Sequence, residues 1–120
     1  RENDHSAYWY KIMKIAITSQ TIKSVTAHAG RCRKFWVYEL SKTGPEIQKQ
    51  FIELDIDETL HTMNEALPKK LEGVNVLITA NLGDSLKTKL LKAGVSAHLT
   101  AETLPDVALL NYLSNTSIKH

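Results

Sequence analysis

Cysteine is almost absent: Cys32 is the one thiol in a chain of 120 residues. One subunit therefore cannot close a disulfide within itself, nor supply the four thiolates of a zinc ribbon or an all-cysteine iron-sulfur cage. Long apolar runs are absent too. Nothing approaches the roughly 18 consecutive apolar residues of a membrane-spanning helix, and the first residues lack the cationic-then-apolar order of a secretory signal, so the expected location is the cytoplasm. Charge of one sign is scarce: a net +2 does not give the basic face of a nucleic-acid binder, and neither nucleic acid nor membrane is expected as a partner.

Several catalytic constellations are missing as well. The strand-like "KIAITSQ" (residues 14–20) carries no carboxylate to hold the metal ions of a nuclease. The segment "ANLGDS" (80–85) lacks the Gly-Lys-Ser/Thr of a P-loop. Ser19, Ser24 and Ser85 have no nucleophile elbow around them. No catalytic residue is assigned, and the chain is not expected to be an enzyme.

What is present reads as one domain, residues 13–120, since this length buries a single core without staples. Residues 1–12, "RENDHSAYWYKI", precede the clean strand pattern opened by Met13 and are set aside as a vector-derived leader; Tyr8, Trp9 and Tyr10 within it are expected to find apolar surface to pack on. Residues 14–20 and "KFWVYEL" (34–40) read as strands, the second with apolar residues on both faces as an interior strand has. A Gly-Pro turn in "SKTGPE" (41–46) leads to a third strand in which Ile52, Leu54 and Ile56 alternate with Glu53, Asp55 and Asp57. Leu60, Met63 and Leu67 then follow helical spacing up to Pro68. "VNVLITA" (74–80) fits a buried parallel strand. A helix with Leu86 and Leu90 on one face is closed by Lys92 and a left-handed Gly94. A short strand, "VSAHLT" (95–100), precedes a last helix capped by Thr103, boxed by Asp106, with Pro105 in its first turn and an inner stripe of Val107, Leu110 and Leu113. The order β-β-β-α-β-α-β-α, with right-handed crossovers, gives an α/β domain with a mixed five-stranded sheet in the order 3-2-1-4-5 and helices on its faces.

A site belongs where the winding direction of such a sheet changes, beyond the carboxyl ends of the first and fourth strands. Two loops should meet there: residues 20–33, with His28, Gly30, Arg31 and Cys32, and residues 80–85, with Asn81 and a Gly83 that opens a helix N-terminus. Glycine backbone and the positive end of a helix favour an anion. His28 and Cys32 are ligand types that suit iron, copper or zinc, and Arg31, Arg33 and Lys34 would favour the thiolate of Cys32. Each has a plainer reading: a lone cysteine is often a small buried hydrophobe, the cations a solvated stretch, and His28 the cap of a backbone group. His61 is either a further ligand or a solvent-facing helical residue, and His98 a face residue of its strand.

Four segments in this order, "MKIAITSQ", "HAGRCRKFWVYEL", "GVNVLITANLGDSL" and "LLKAGVSAHLTAETLPDVALLNYL", together resemble the dinitrogenase iron-molybdenum cofactor biosynthesis and binding family, over residues 13–113. The resemblance implies a ribonuclease H-like fold without nuclease activity and, as function, binding or carriage of a preassembled metal-sulfur cluster of the iron-molybdenum type, in work related to nitrogen fixation. It implies His28 as the leading cluster ligand and cluster assembly or acceptor proteins as partners; the residues themselves offer Cys32 and His61 as further metal ligands, with Gly30, Arg31, Asn81 and Gly83 around the cofactor. Ala29 stands where many members have Phe, and "ANLG" where many have Gly-Gly-Met-Gly. That departure favours the alternative: an interaction or regulatory module of the same fold that binds no metal. A thiol-transfer role for Cys32 ranks last, since no resolving cysteine accompanies it.

Overall fold

The computed structural model describes residues 12–41, 47–63 and 66–118. Residues 1–11, with Tyr8, Trp9 and Tyr10 of the expected leader, and the expected Gly-Pro turn beyond Ser41 lie outside the described residues. Five strands form one sheet: β1 (Ile12–Thr18), β2 (Lys34–Ser41), β3 (Ile47–Glu53), β4 (Val76–Thr79) and β5 (Ser96–Leu99). Its order is β3-β2-β1-β4-β5. The first three strands form an antiparallel meander, and β4 and β5 lie parallel to β1. This is the expected mixed order, and β2 is an interior strand.

Period-two alternation sends successive side chains to opposite faces and builds two cores. On one face Ala16, Phe35, Val37 and Leu77 pack with Leu90 of helix α1 (Asp84–Lys92). On the other, Ile15, Ile17, Tyr38, Val76 and Ile78 pack with Ala108 and Leu109 of helix α2 (Pro105–Ile118). Helix α1 ends as its sequence asks: Gly94 takes φ 86°, and the amides of Gly94 and Val95 return to the carbonyls of Leu91 (3.0 Å) and Leu90 (2.8 Å), the two bonds of a Schellman motif.

Three expectations need correction. The helix expected after Glu58 is instead two 3₁₀ turns, Leu60–Thr62 and Lys69–Leu71. Leu60 and Met63 are buried as their spacing asks, but Pro68 offers no N–H and biases Leu67 away from helical angles, too soon for a nucleus to extend. The third strand stops at Glu53, so Leu54 still reaches the core whereas Ile56 is 79% exposed. In α2 the register differs. Leu104, not Thr103, occupies the cap, since its carbonyl takes the first helical bond, from the Ala108 amide (2.9 Å). Val107 and Leu110 point outward, while Pro105, Ala108 and Leu109 are buried and Leu113 half-buried.

Asp106 closes no capping box either. Its carboxylate accepts the Tyr38 hydroxyl at 2.6 Å and the Lys49 ammonium at 2.9 Å, and the Lys49 charge lies 4.5 Å from the centre of the Trp36 ring. The Tyr38 bond, then Lys49, hold the Asp106 carboxyl below its usual range; burial, then Asp106 itself, push the Tyr38 phenol up. The signs are opposite in pH. A lowered carboxyl contributes stability above the unfolded carboxylate pKa that is lost as the pH falls through the folded value. A raised phenol contributes stability below the unfolded tyrosine pKa, about 10, that is lost above it. Denaturant melts across pH should thus show an acid and an alkaline decline. Tyr38→Phe should remove the alkaline arm and shrink the acid one; unchanged arms would show that the pair does not couple to folding.

Candidate functional site

At the carboxyl ends of β1 and β4 the sheet changes direction, with an antiparallel neighbour on one side of β1 and a parallel one on the other. Buried hydroxyls tie the two loops together there. The Thr26 carbonyl lies 2.6 Å from the Thr18 Oγ1, 3.1 Å from the Thr79 Oγ1 and 3.2 Å from the Ala80 amide, and the two threonine hydroxyls are 2.9 Å apart. Thr79→Val keeps the volume and removes one donor from this buried junction, so it should cost about 1–2 kcal/mol and speed exchange of the Ala80 amide. Native exchange at Ala80 in that variant would refute the role.

Beside this junction lies an open cleft of about 320 Å³. His28, Gly30 and Arg31 come from the first loop, Asn81 and Gly83 from the second, and His61 from the 3₁₀ turn. The turn that presents His28 is left-handed at that residue, φ 58°, and the amides of Arg31 (2.9 Å) and Cys32 (3.1 Å) both return to its carbonyl. Histidine tolerates this region better than most side chains, at a cost of roughly 1–3 kcal/mol. His61 is placed through its backbone: its amide donates to the Gly30 carbonyl (2.8 Å), and its carbonyl accepts the Lys89 ammonium (3.2 Å). Both imidazoles are exposed. The Gly83 cap position of α1 makes no side-chain cap bond, Asp84 stands in the first turn, and beyond the chain neighbours no atom lies within 4 Å of where a Gly83 Cβ would stand. The Asn81 Oδ1 takes the Leu82 amide at 2.7 Å.

Cys32 is not part of this cleft. It is 4% exposed among Ala29, Phe35 and Leu60, and its thiol donates to the Lys34 carbonyl at 3.0 Å. Burial pushes that thiol up, against the expectation that the neighbouring cations favour a thiolate: desolvation outweighs them. The cause is the tight turn, which folds residue 32 back under His28 and delivers its side chain to the α1-side core. Of the three cations only Arg31 lines the cleft; Arg33 is engaged by the Leu54 carbonyl at 3.0 Å. His98 lies on the other face of the sheet, 2.9 Å from the Ser96 Oγ and against the Tyr112 ring.

Ser85, Leu86 and Lys89 also line the cleft; the sequence reading puts Ser85 at the end of the second loop and Leu86 on the inner face of its helix, and gives Lys89 no place. Their i, i+1, i+4 spacing from the helix start was the available signal, since it puts one flank of α1 over the loop. Chemically the cleft offers two imidazoles, two cations and, through Gly83 and Ser85, the first turn of α1. Among the described residues no three His, Cys, Asp or Glu side chains converge as a chelating set, so this donor set does not fit a bare ion caged by protein. It fits a bulky anion that brings most of its own ligands.

Comparison with known proteins agrees with the architecture. The apo form of the orange protein from Desulfovibrio gigas superposes with a TM-score of 0.62 at 17% identity, covering 86% of this chain and 88% of that one. A NifB-like protein of the DUF35 family from Thermotoga, solved by NMR, superposes with a TM-score of 0.59 at 21% identity, covering 85% and 88%. At these identities the likeness is one of fold. No curated protein matches the sequence. The sequence profile described as dinitrogenase iron-molybdenum cofactor matches residues 11–115, nearly all of the chain. With that match over the whole sheet and both loops of the cleft, the chain belongs to the dinitrogenase iron-molybdenum cofactor family.

Proposed function

We propose that the protein binds and carries a preassembled metal-sulfur cluster, of the iron-molybdenum or a related type, in the cleft between its two loops, without catalysing a reaction. His28 is the leading inner-sphere ligand and His61 the second. Arg31, Lys89 and the N-terminal turn of α1 after Gly83 take up the negative charge of the cargo's sulfides, and Asn81 holds the loop that leads into that turn. Cys32 has no part in binding. The partners on this reading are proteins that assemble the cluster and proteins that accept it.

One observation carries the reading: two exposed histidines and two cations line an open cleft in a chain of a cofactor family. A scaffold with so few donors cannot build a cluster, but it can hold a finished one through one or two bonds plus hydrogen bonds, and few bonds allow release. The test is anaerobic gel filtration of the protein with a preassembled iron-molybdenum-sulfur cluster, read by metal content and visible absorption. Metal and colour eluting with the protein are expected. Their elution only in the small-molecule volume would overturn the proposal.

A further inference from the structure

We infer that the outer edge of β3 is a self-association surface, on which a second copy of this chain lays its own β3 antiparallel about Phe51 and continues the sheet across the pair. The inference uses neither the cleft nor its cargo, since β3 stands two strands away from the junction of β1 and β4.

β3 ends the sheet, and Ile47, Gln48, Lys49 and Gln50 are exposed along it. Its outward groups follow from its register on β2. The Leu54 amide bonds the Arg33 carbonyl at 2.7 Å, and Ile52 and Gln50 then face Phe35 and Val37. By the two-residue alternation of a strand, Gln50 and Ile52 turn their N–H and C=O to β2, while Lys49, Phe51 and Glu53 turn theirs outward. One outward carbonyl is already engaged: Glu53 O accepts the Lys70 ammonium at 3.0 Å, which leaves its second lone pair. Such an edge is a template for another strand unless proline or charge blunts it. "IQKQFIE" has no proline, so the placement of its charges decides.

In an isologous pair the strand meets itself antiparallel, and outward groups must meet outward groups. Centring the pair on Lys49 sets that cation against its own copy, which is destabilising. Centring it on Gln50 sets Lys49 against Phe51 and Glu53 against Ile47, leaving both charges unmatched. Centring it on Phe51 sets Lys49 against Glu53 of the other copy, twice by symmetry, and ring against ring. Each of these facing pairs exchanges two main-chain bonds. The charges of β3 therefore select one register of self-pairing instead of forbidding all of them. Both ions can keep their present partners: Asp106 takes one donor of the Lys49 ammonium, and Arg33 reaches one oxygen of the Glu53 carboxylate, at 3.4 Å. Phe51 already stands edge-on to Trp36 with ring centres 4.9 Å apart, so the seam would carry a row of four aromatic rings on the α2 face. A seam of one strand belongs among small, transient interfaces, which sets the concentrations at which to look.

The test is sedimentation equilibrium and amide exchange of the whole chain from about 10 μM to about 1 mM. A monomer–dimer equilibrium is expected, with the amides of Lys49, Phe51 and Glu53 protected only as the dimer fills. Glu53→Lys sets like charges against each other and should weaken the dimer roughly tenfold or more; Lys49→Glu should do the same. An equimolar mixture of the two variants restores opposite charges at every facing pair and should associate at least as tightly as the parent. Lys70→Ala frees the Glu53 carbonyl and should tighten the dimer. Amide NMR spectra of each variant show whether it is folded, and Lys70→Ala reads the same seam without touching either ion. A monomer throughout, edge amides protected equally at every concentration, or a dimer indifferent to Glu53→Lys would each overturn the proposal, as would folded variants whose mixture associates no better than either alone.

Discussion

His28→Gly should lose the cluster while keeping, or slightly raising, the stability of the fold. The two effects separate because His28 occupies a left-handed backbone conformation, φ 58°. Glycine adopts it without the Cβ penalty, which offsets its greater chain entropy and brings the net change to within about 1 kcal/mol of zero. Binding moves much further. Removing a merely outer-shell partner of a metal typically costs 10- to 100-fold, so loss of the proposed leading ligand should cost at least roughly that. His61→Ala, at a position held through its backbone, should have a smaller effect, and Arg31→Ala should weaken binding mainly at low salt, as an exposed cation does. Cys32→Ala is the informative control: it should leave binding unchanged and cost about 1 kcal/mol of stability, the value of a small buried side chain. Equal cluster retention by His28→Gly and the parent protein would refute the ligand assignment, and loss of cluster in Cys32→Ala with the fold intact would restore the thiol as a ligand.

Phe35→Ala should produce the largest loss of stability of any single change considered. The ring is fully buried at the start of β2, in the core that also contains Ala29, Cys32, Leu54 and Leu60. Truncating such a ring costs about 3–5 kcal/mol, out of the roughly 5–15 kcal/mol by which a domain is stable. The consequence reaches the cleft, because Ala29, Cys32 and Leu60 adjoin the residues that present His28 and His61. A partly folded Phe35→Ala protein should therefore lose cluster as well, but in proportion to its unfolded fraction and recoverably on cooling, unlike His28→Gly. Urea melts at several temperatures distinguish the two; a midpoint within error of the parent would show that the ring's packing is dispensable.

The sheet was legible because its signals are local and redundant. β1 and β2 carry apolar residues on both faces, β4 is apolar but for its last residue, and the crossover rule then leaves one order. Gly94 was legible because the left-handed position after a helix has few other solutions. The misreadings share one physical origin, which is that periodicity records which residues face inward but not what conformation brings them there. Leu60 and Met63 are inward, as their spacing says, yet a pair of 3₁₀ turns buries them as well as a helix would. In the last helix Val107 and Leu110 recur at helical spacing, but so do Pro105, Ala108 and Leu109 on another side of it, and it is this second set that packs against the sheet. For the site, the meeting of the two loops followed from topology. The direction of Cys32 did not, since a one-residue rotation in the turn after His28 decides between cleft and core, and nothing in "HAGRC" encodes it. Lys89 was missed because its tie to the cleft runs through the carbonyl of His61, a backbone contact with no trace in side-chain pattern.

The burial of Cys32 sets how such a carrier would age. Oxygen destroys exposed metal-sulfur cargo, and thiols that have gripped it are commonly left as sulfenates, mixed disulfides or persulfides that need repair. Here the chain's thiol is shielded behind the turn and kept protonated by its surroundings, so exposure to air should consume the load and spare the vessel. Empty protein recovered after oxidation should have its original mass and accept a fresh cluster without a reductant, which makes the scaffold reusable where a cysteine-ligated carrier would be spent.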